Sequence, residues 1–294
     1  MVPRAVARDV VGVRVAAISD VHGNLPAFEA ALAAAEAAEP DLIVFGGDLI
    51  WGPLPGETLE RIMALDTGRV RFVRGDADRD VVEAISPVLD PDDPSGEVSH
   101  WCREQLSTEQ LVFLASQPET LSLDVDGLGP TLFCHGSPRS DRDRITVGSA
   151  DEKVLPWLEG VAESVIVCGH THAQFDRLFG AHRVVNPGGC GLQFGARGAA
   201  WALLGPDVDL LLAGYDEERA AALFRARGGP AAEAFAERVL DPPPAETAVE
   251  RWVSAPARAP RPSRRSAATT RTARRSGTPA RAAPRLPALA SSAP

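Results

Sequence analysis

Ile18-Ser19-Asp20-Val21-His22-Gly23-Asn24 closes an apolar run that begins at Val13. A carboxylate and an imidazole two residues apart, where a buried strand breaks into a glycine-containing turn, can converge on one metal ion while the strand holds them still. Alone, the pair also fits a helix cap at Asp20 and a solvated turn residue at His22. The rest of the chain has to decide between the two.

Four more apolar runs end in the same chemistry. Leu42 to Phe45 is followed by Gly46-Gly47-Asp48, and Val70 to Val73 by Arg74-Gly75-Asp76-Ala77-Asp78. Leu132 to Cys134 is followed by His135-Gly136-Ser137-Pro138, and Val165 to Cys168 by Gly169-His170-Thr171-His172. Short β-rich runs alternating with helical patterns imply an α/β protein with buried strands. In such folds the loops beyond the carboxyl ends of the strands form the ligand crevice, and glycine lets backbone and ligand approach closely. Four of the six histidines, His22, His135, His170 and His172, fall at such ends. The spacing therefore points to a metal site.

Helices are expected around these strands. Asn24 is a good N-cap for a helix carrying Phe28, Ala31, Leu32 and Ala35 that stops before Pro40. Glu57 to Leu65 reads as a second helix, and Ser107-Thr108-Glu109-Gln110 as a capping box dividing two short helices between Val98 and Ser116. Val184 and Val185, Trp201 to Leu204 and Val208 to Leu212 read as later strands, the last two joined by a turn at Gly205-Pro206-Asp207.

Composition narrows the class. Of the 294 residues 45% are hydrophobic, as in soluble globular proteins. No run approaches the roughly 18 to 20 apolar residues of a spanning helix, and Arg4, Arg8 and Asp9 interrupt what would be a signal peptide, so a cytoplasmic protein without membrane partners is expected. Cys102, Cys134, Cys168 and Cys190 show no C-x-x-C pairing and read as packing residues. Ser254 to Pro294 holds nine arginines and no acid, so a net charge of −10 overall leaves −19 on the remainder. The domain is expected to span residues 1–252. Residues 253–294 are expected to form a disordered Ala/Pro/Arg-rich tail able to contact nucleic acid, another anionic surface or its own domain. There is no Gly-x-x-x-x-Gly-Lys and Lys153 is the single lysine, which disfavours a P-loop nucleotidase or kinase.

Asp20-x-His22, Gly47-Asp48, Gly75-Asp76, His135-Gly-Ser-Pro and Gly169-His170-x-His172 resemble, in order, the five blocks of the calcineurin-like metallophosphoesterases. Asn186-Pro187-Gly188 is similar to the close of the small bacterial and archaeal branch. The resemblance spans about Val13 to Arg227 and implies a four-layer α/β/β/α sandwich with a dinuclear site at the strand ends. It implies that Asp20, His22, Asp48 and His172 hold one divalent ion and Asp48, Asp76, His135 and His170 the other, with Asp48 bridging. Mn²⁺, Fe²⁺ and Zn²⁺ all suit these donors. The implied activity is hydrolysis of a phosphoester by in-line attack, with Asp48, Asp76 and Asp78 as catalytic candidates and a small, nucleotide-like phosphodiester as substrate. Asp78 has two readings, a partner orienting a ligand histidine or a solvated turn carboxylate.

Two departures from the family pattern bear on activity. Gly75-Asp76-Ala77 stands where Gly-Asn-His is usual, so the histidine that, by the resemblance, protonates the leaving oxygen or stabilises the attacked phosphate is missing. That favours diesters or activated esters over alkyl monoesters. An aspartate at 76 leaves two divalent ions with +4 − 3 = +1 instead of +2, for tighter metal and a weaker electrophile. Arg74, Arg79 and above all Arg139 are candidates to clamp phosphate. Trp51 could stack on a base or pack as core. Two other readings stay open: a phosphoprotein phosphatase or dinucleoside-polyphosphate hydrolase, although Leu49-Ile50-Trp51-Gly52-Pro53 replaces the Asp-Arg-Gly of those relatives, and a weakly active metal-binding scaffold. The oligomeric state is not legible.

Overall fold

The computed structural model describes residues 12–84 and 95–254. In chain order, β1 (Val15–Ile18), α1 (Leu25–Ala37), β2 (Leu42–Phe45), α2 (Pro55–Met63), β3 (Val70–Phe72) and α3 (Asp76–Glu83) form the first half. Two helices follow, α4 (Ser95–Glu104) and α5 (Thr108–Ser116), then the hairpin of β4 (Thr120–Val125) and β5 (Gly129–Cys134). Next come α6 (Asp151–Val154), a 3-10 turn at Leu155–Trp157, β6 (Val165–Val167), β7 (Phe175–Phe179) and β8 (His182–Asn186). β9 (Ala199–Leu204), β10 (Val208–Ala213), α7 (Glu217–Arg227), α8 (Ala232–Leu240) and α9 (Ala245–Ser254) follow them.

The strands form two five-stranded sheets, ordered β10-β9-β1-β2-β3 and β4-β5-β6-β8-β7. Each has three parallel strands, β1, β2 and β3 in one and β5, β6 and β8 in the other, extended by antiparallel neighbours. The β1 to β2 register pairs Val15 with Leu42 and Ile18 with Phe45, so both strands end at the same level. Val15, Ala17, Val44, Phe133, Val165, Val167 and Val185 fill the space between the sheets. Their strands are buried on both faces, which is why they read as continuous apolar runs.

The outer layers differ. α1, α2, α4 and α5 cover the first sheet through Phe28, Leu32, Leu59, Ile62 and Leu114. The second sheet is covered by α6, the 3-10 turn and the loop at Ile145, which contribute Val154, Leu158 and Ile145. The α/β/β/α sandwich holds, with a thin fourth layer.

The local signals behave as their chemistry predicts. Asn24 Oδ1 accepts from Ala27 N at 3.1 Å and caps α1, and Ser107 and Gln110 form the reciprocal capping box of α5. The second helix begins at Pro55, two residues before the expected start. The expected domain end at Trp252 falls inside α9, and the basic tail from residue 255 onward lies outside the described residues. All four cysteines are free and buried. Among the described residues no helix is long and apolar enough to cross a membrane.

Candidate metal centre

The parallel strands of both sheets deliver their carboxyl ends to one place. Asp20, Asp48 and Asp76 follow β1, β2 and β3, while His135 follows β5 and His170 and His172 follow β6. Five of the candidate ligands, Asp20, His22, Asp48, His170 and His172, have φ between 51° and 64°. Left-handed backbone costs on the order of 1–3 kcal/mol for a residue with a side chain. Glu39 is the one other described residue besides glycine to adopt it.

The strain is held by interstrand hydrogen bonds. Asp20 N donates to Gly47 O, His22 N to Asp48 O and Gly23 N to Leu49 O, zipping the first ligand loop onto the second. Cys190 N and Gly191 N donate to Ser19 O and Asp20 O from the other side. Asn186 Nδ2 donates to Gly169 O at 2.7 Å and to Thr171 Oγ1 at 3.1 Å, fixing the loop that carries His170 and His172. Asn186 had no more than a place in a motif on the sequence. Here it is a strut.

Two ligand groups result, Asp20, His22, Asp48 and His172, and Asp48, Asp76, His135 and His170, each with its donor atoms within 4.8 Å of one another. Asp48 belongs to both. The tautomers suit a cation: Nδ1–H of His22 donates to Trp51 O at 3.0 Å and Nδ1–H of His135 to Gly46 O at 2.8 Å. Both rings therefore aim Nε2 inward. His22 Nε2 lies 3.0 Å from His172 Nε2, and His135 Nε2 lies 3.3 Å from both Asp48 Oδ2 and Asp76 Oδ1. His135 Nε2 and Asp76 Oδ1 are buried and hydrogen-bond to nothing.

Burial and the neighbouring His172 push the His22 pKa down to about 4, so its ring is neutral. At His135 burial disfavours charge, but Asp48 and Asp76 outweigh it and raise the pKa well above the ordinary value. Burial would raise Asp20 and Asp76 too, yet His172 holds the first below its usual range and His170 and His135 the second. Asp20 and Asp48 are buried and Asp76 is half-buried, so three carboxylates converge in one place. The carboxylate and imidazole donors fit hard or borderline divalent ions.

Asp78 is buried and touches the ligand loops through backbone. Its Oδ1 accepts from Leu49 N at 2.8 Å and its Oδ2 from Gly75 N at 3.2 Å. Burial and the charge of Asp48 push its pKa up to about 7 against the pull of those two amides. Its carboxylate ties the backbone after Asp48 to the backbone before Asp76, and at 1% exposure it is no solvated turn residue. Ala77 N donates to Asp48 Oδ1 at 2.9 Å.

A cavity of about 490 Å³ opens over the centre, reached by His22, Asp48, Asp76, His170 and His172. Trp51, Phe194, Phe235 and Leu192 form its apolar wall, and Arg144, Arg238 and Arg251 also line it. Trp51 lines the cavity and packs 5.8 Å from Phe235, with Nε1 donating to Ser99 Oγ. Arg139 does not line this cavity, contrary to expectation. Asp143, four residues on, holds its Nε at 2.7 Å and the Trp157 ring carries its guanidinium. Arg74 and Arg79 pair with Glu119 and Asp141. Arg142, which follows the same block, lies 3.6 Å from Asp76 Oδ2 and also pairs with Asp80.

A family model, the calcineurin-like phosphoesterase superfamily domain, matches residues 13–207. A metallophosphoesterase from Sphaerobacter thermophilus superposes with a TM-score of 0.62 at 26% identity, covering 78% of this chain and 98% of that one. A hypothetical protein from Pyrococcus horikoshii OT3 superposes with a TM-score of 0.66 at 22% identity, covering 77% and 97%, a likeness of fold. No curated protein matches.

Proposed function

The chain belongs to the calcineurin-like phosphoesterase superfamily, and from that premise we propose that it hydrolyses small, nucleotide-like phosphodiesters and activated phosphoesters with two divalent ions, of which Mn²⁺, Fe²⁺ and Zn²⁺ are the candidates. The observation that carries the reading is the pair of ligand groups sharing Asp48. Such ions, when bound, supply Lewis acidity and activate water. In the overall reaction a water oxygen bonds to phosphorus, one ester P–O bond breaks and the departing oxygen gains a proton.

The protein's own part is rigidity. Asp48 is held by Ala77 N–H, His22 by Trp51 O, His135 by Gly46 O, and Asp20 by His170 N, which lies 3.1 Å from both carboxylate oxygens. Groups fixed this way need no reorganisation as charge develops. Ala77 offers no proton to a leaving oxygen, which supports diesters and aryl esters over alkyl monoesters.

The test is turnover of bis(p-nitrophenyl) phosphate with added Mn²⁺ in wild type and Asp48→Asn, beside an alkyl monoester. Metal-dependent diester hydrolysis that Asp48→Asn lowers at least about 10²-fold is expected. A faster alkyl monoester would overturn the diester preference. No metal-dependent turnover on diesters, monoesters or dinucleoside polyphosphates would favour a metal-binding scaffold.

A further inference from the structure

We propose that Phe235 and Ser99 are positioning residues for the candidate ligand His22, acting on it through Trp51. This rests on the metal-centre reading of the ligand groups. Ser99 lies on α4 and Phe235 on α8, which follows the matched family domain ending at residue 207. Neither is among the candidate ligands.

The contacts start at the imidazole. A backbone carbonyl can only accept, so the 3.0 Å contact between His22 Nδ1 and Trp51 O puts the ring proton on Nδ1 and leaves the Nε2 lone pair for an ion. Whatever fixes the Trp51 carbonyl therefore fixes both the tautomer and the aim of this ring. Trp51 belongs to the connection between β2 and α2. Connecting segments move more than the strands beside them unless other elements pack on them.

Two helices grip this segment. On α4, Ser99 Oγ accepts from Trp51 Nε1 at 3.0 Å and donates to Ser95 O at 2.9 Å, tying the indole to the helix backbone. Cys102 Sγ of the same helix donates to Gly52 O at 3.6 Å. On α8, the Phe235 ring lies 5.8 Å from the Trp51 ring and 6.5 Å from the His22 ring, within the range at which aromatic rings attract. A Cβ on Gly52 would lie 1.8 Å from His22 O and 2.8 Å from Phe235 Cε1, so the residue after Trp51 is seated against ligand backbone and ring at once. α8 is itself anchored: Phe235 and Val239 pack with Ala221 and Phe224 of α7 and with Leu54. A buried ring on an anchored helix thus holds the loop that holds the imidazole.

The experiment reads the His22 tautomer and Zn²⁺ affinity in the full chain. With isotope-labelled histidine, the ring nitrogen shifts tell a protonated Nδ1 from a protonated Nε2, and His22→Asn identifies the signal. Wild type should carry the proton on Nδ1. Phe235→Ala and Ser99→Ala should each move His22 toward a mixture of tautomers and weaken Zn²⁺ binding about tenfold, as loss of a group supporting a metal ligand does. Ser99→Ala removes one oxygen and decides the matter should Phe235→Ala fail to fold. Ser99→Thr, which keeps the hydroxyl, should stay within about threefold of wild type. Val239→Ala is the control, since Val239 is buried in the same helix and is no part of the cavity wall; it should lower Tm and leave tautomer and Zn²⁺ affinity as they are. An unchanged tautomer and Zn²⁺ affinity in Ser99→Ala, or equal weakening in Val239→Ala, would overturn the role. Wild type that binds no Zn²⁺ would overturn it together with the metal reading. Zn²⁺ binding that follows Phe235 and Ser99 in a chain hydrolysing no ester would keep the role and refute the phosphoesterase reading.

Discussion

Gly75→Ala probes how closely the shared carboxylate is seated. Gly75 has φ −85° and ψ 166°, a conformation open to any L residue, so an added methyl group acts through space alone. Its Cβ would lie 2.1 Å from Asp48 Oδ1, 2.3 Å from Asp48 N and 2.9 Å from Asp48 Cγ. Opening the closest contact to 3.0 Å takes a movement of about 0.9 Å. Asp48 cannot swing away cheaply. Its Oδ1 accepts from Ala77 N at 2.9 Å, and its carbonyl accepts from His22 N at the same distance. A displacement of about 1 Å near a reacting centre lowers turnover about 10²-fold. Overpacking costs about 1–3 kcal/mol, a fall in Tm of roughly 2–12 °C in a domain of this size. The assay is metal per chain, Tm and kcat on bis(p-nitrophenyl) phosphate. Gly160→Ala is the control, since Gly160 has φ +80° with nothing within 4 Å of its Cβ; it should lose about 1 kcal/mol of stability and little turnover. Metal content and kcat within about threefold of wild type in Gly75→Ala would refute the reasoning.

Two further perturbations test the charge in the site. Asp76→Asn removes one of three carboxylates and leaves Arg142 to Asp80; metal affinity should fall about tenfold while kcat at matched metal occupancy rises. Unchanged kcat would count against the charge argument. On the proposed reading, chelation should lower Tm, because a divalent ion would bind the folded carboxylate cluster and not the unfolded chain. At a hundredfold excess over Kd the linkage is about 2.7 kcal/mol, roughly 5–11 °C here, and Asp48→Asn should lose the metal-dependent part.

The candidate ligands were legible because chemistry and topology coincide in them. A buried parallel strand must be apolar throughout and must end in a tight turn, so Asp48, His135 and His170 stand out beside Phe45, Cys134 and Cys168. β4 and β7 escaped notice because both are sheet edges. β4 alternates exposed Thr120, Ser122 and Asp124 with half-buried leucines, and β7 carries Asp176 and Arg177 for cross-strand and loop pairing. α3 was hidden because it begins at a candidate ligand, Asp76, which spacing alone presents as a loop residue. Arg139 shows a different limit. Nearness to His135 in sequence fixes position and leaves direction open, and Asp143 and Trp157 decided the direction. The arginines that do line the cavity, Arg144 after β5, Arg238 on α8 and Arg251 on α9, stand where no motif marks them. Their one visible trace is Phe235 and Arg238 at helical spacing, which place ring and guanidinium on one face.

The same geometry ties the departure at position 77 to the choice of substrate. Ala77 keeps the part its backbone can play, an N–H on Asp48 Oδ1, and lines the cavity where a proton-donating imidazole is expected from the family pattern. A leaving group then has to depart without that proton, which an aryl oxide or a phosphate does far more readily than an alkoxide. Arg142 lies 3.6 Å from Asp76 Oδ2, so guanidinium charge takes the side of the site that holds Asp76. On the proposed reading, a departing phosphate would meet that charge as its own develops. The lost imidazole and the guanidinium of Arg142 thus favour one substrate type, a phosphoryl group bonded to an oxygen that is already a stable anion when it leaves.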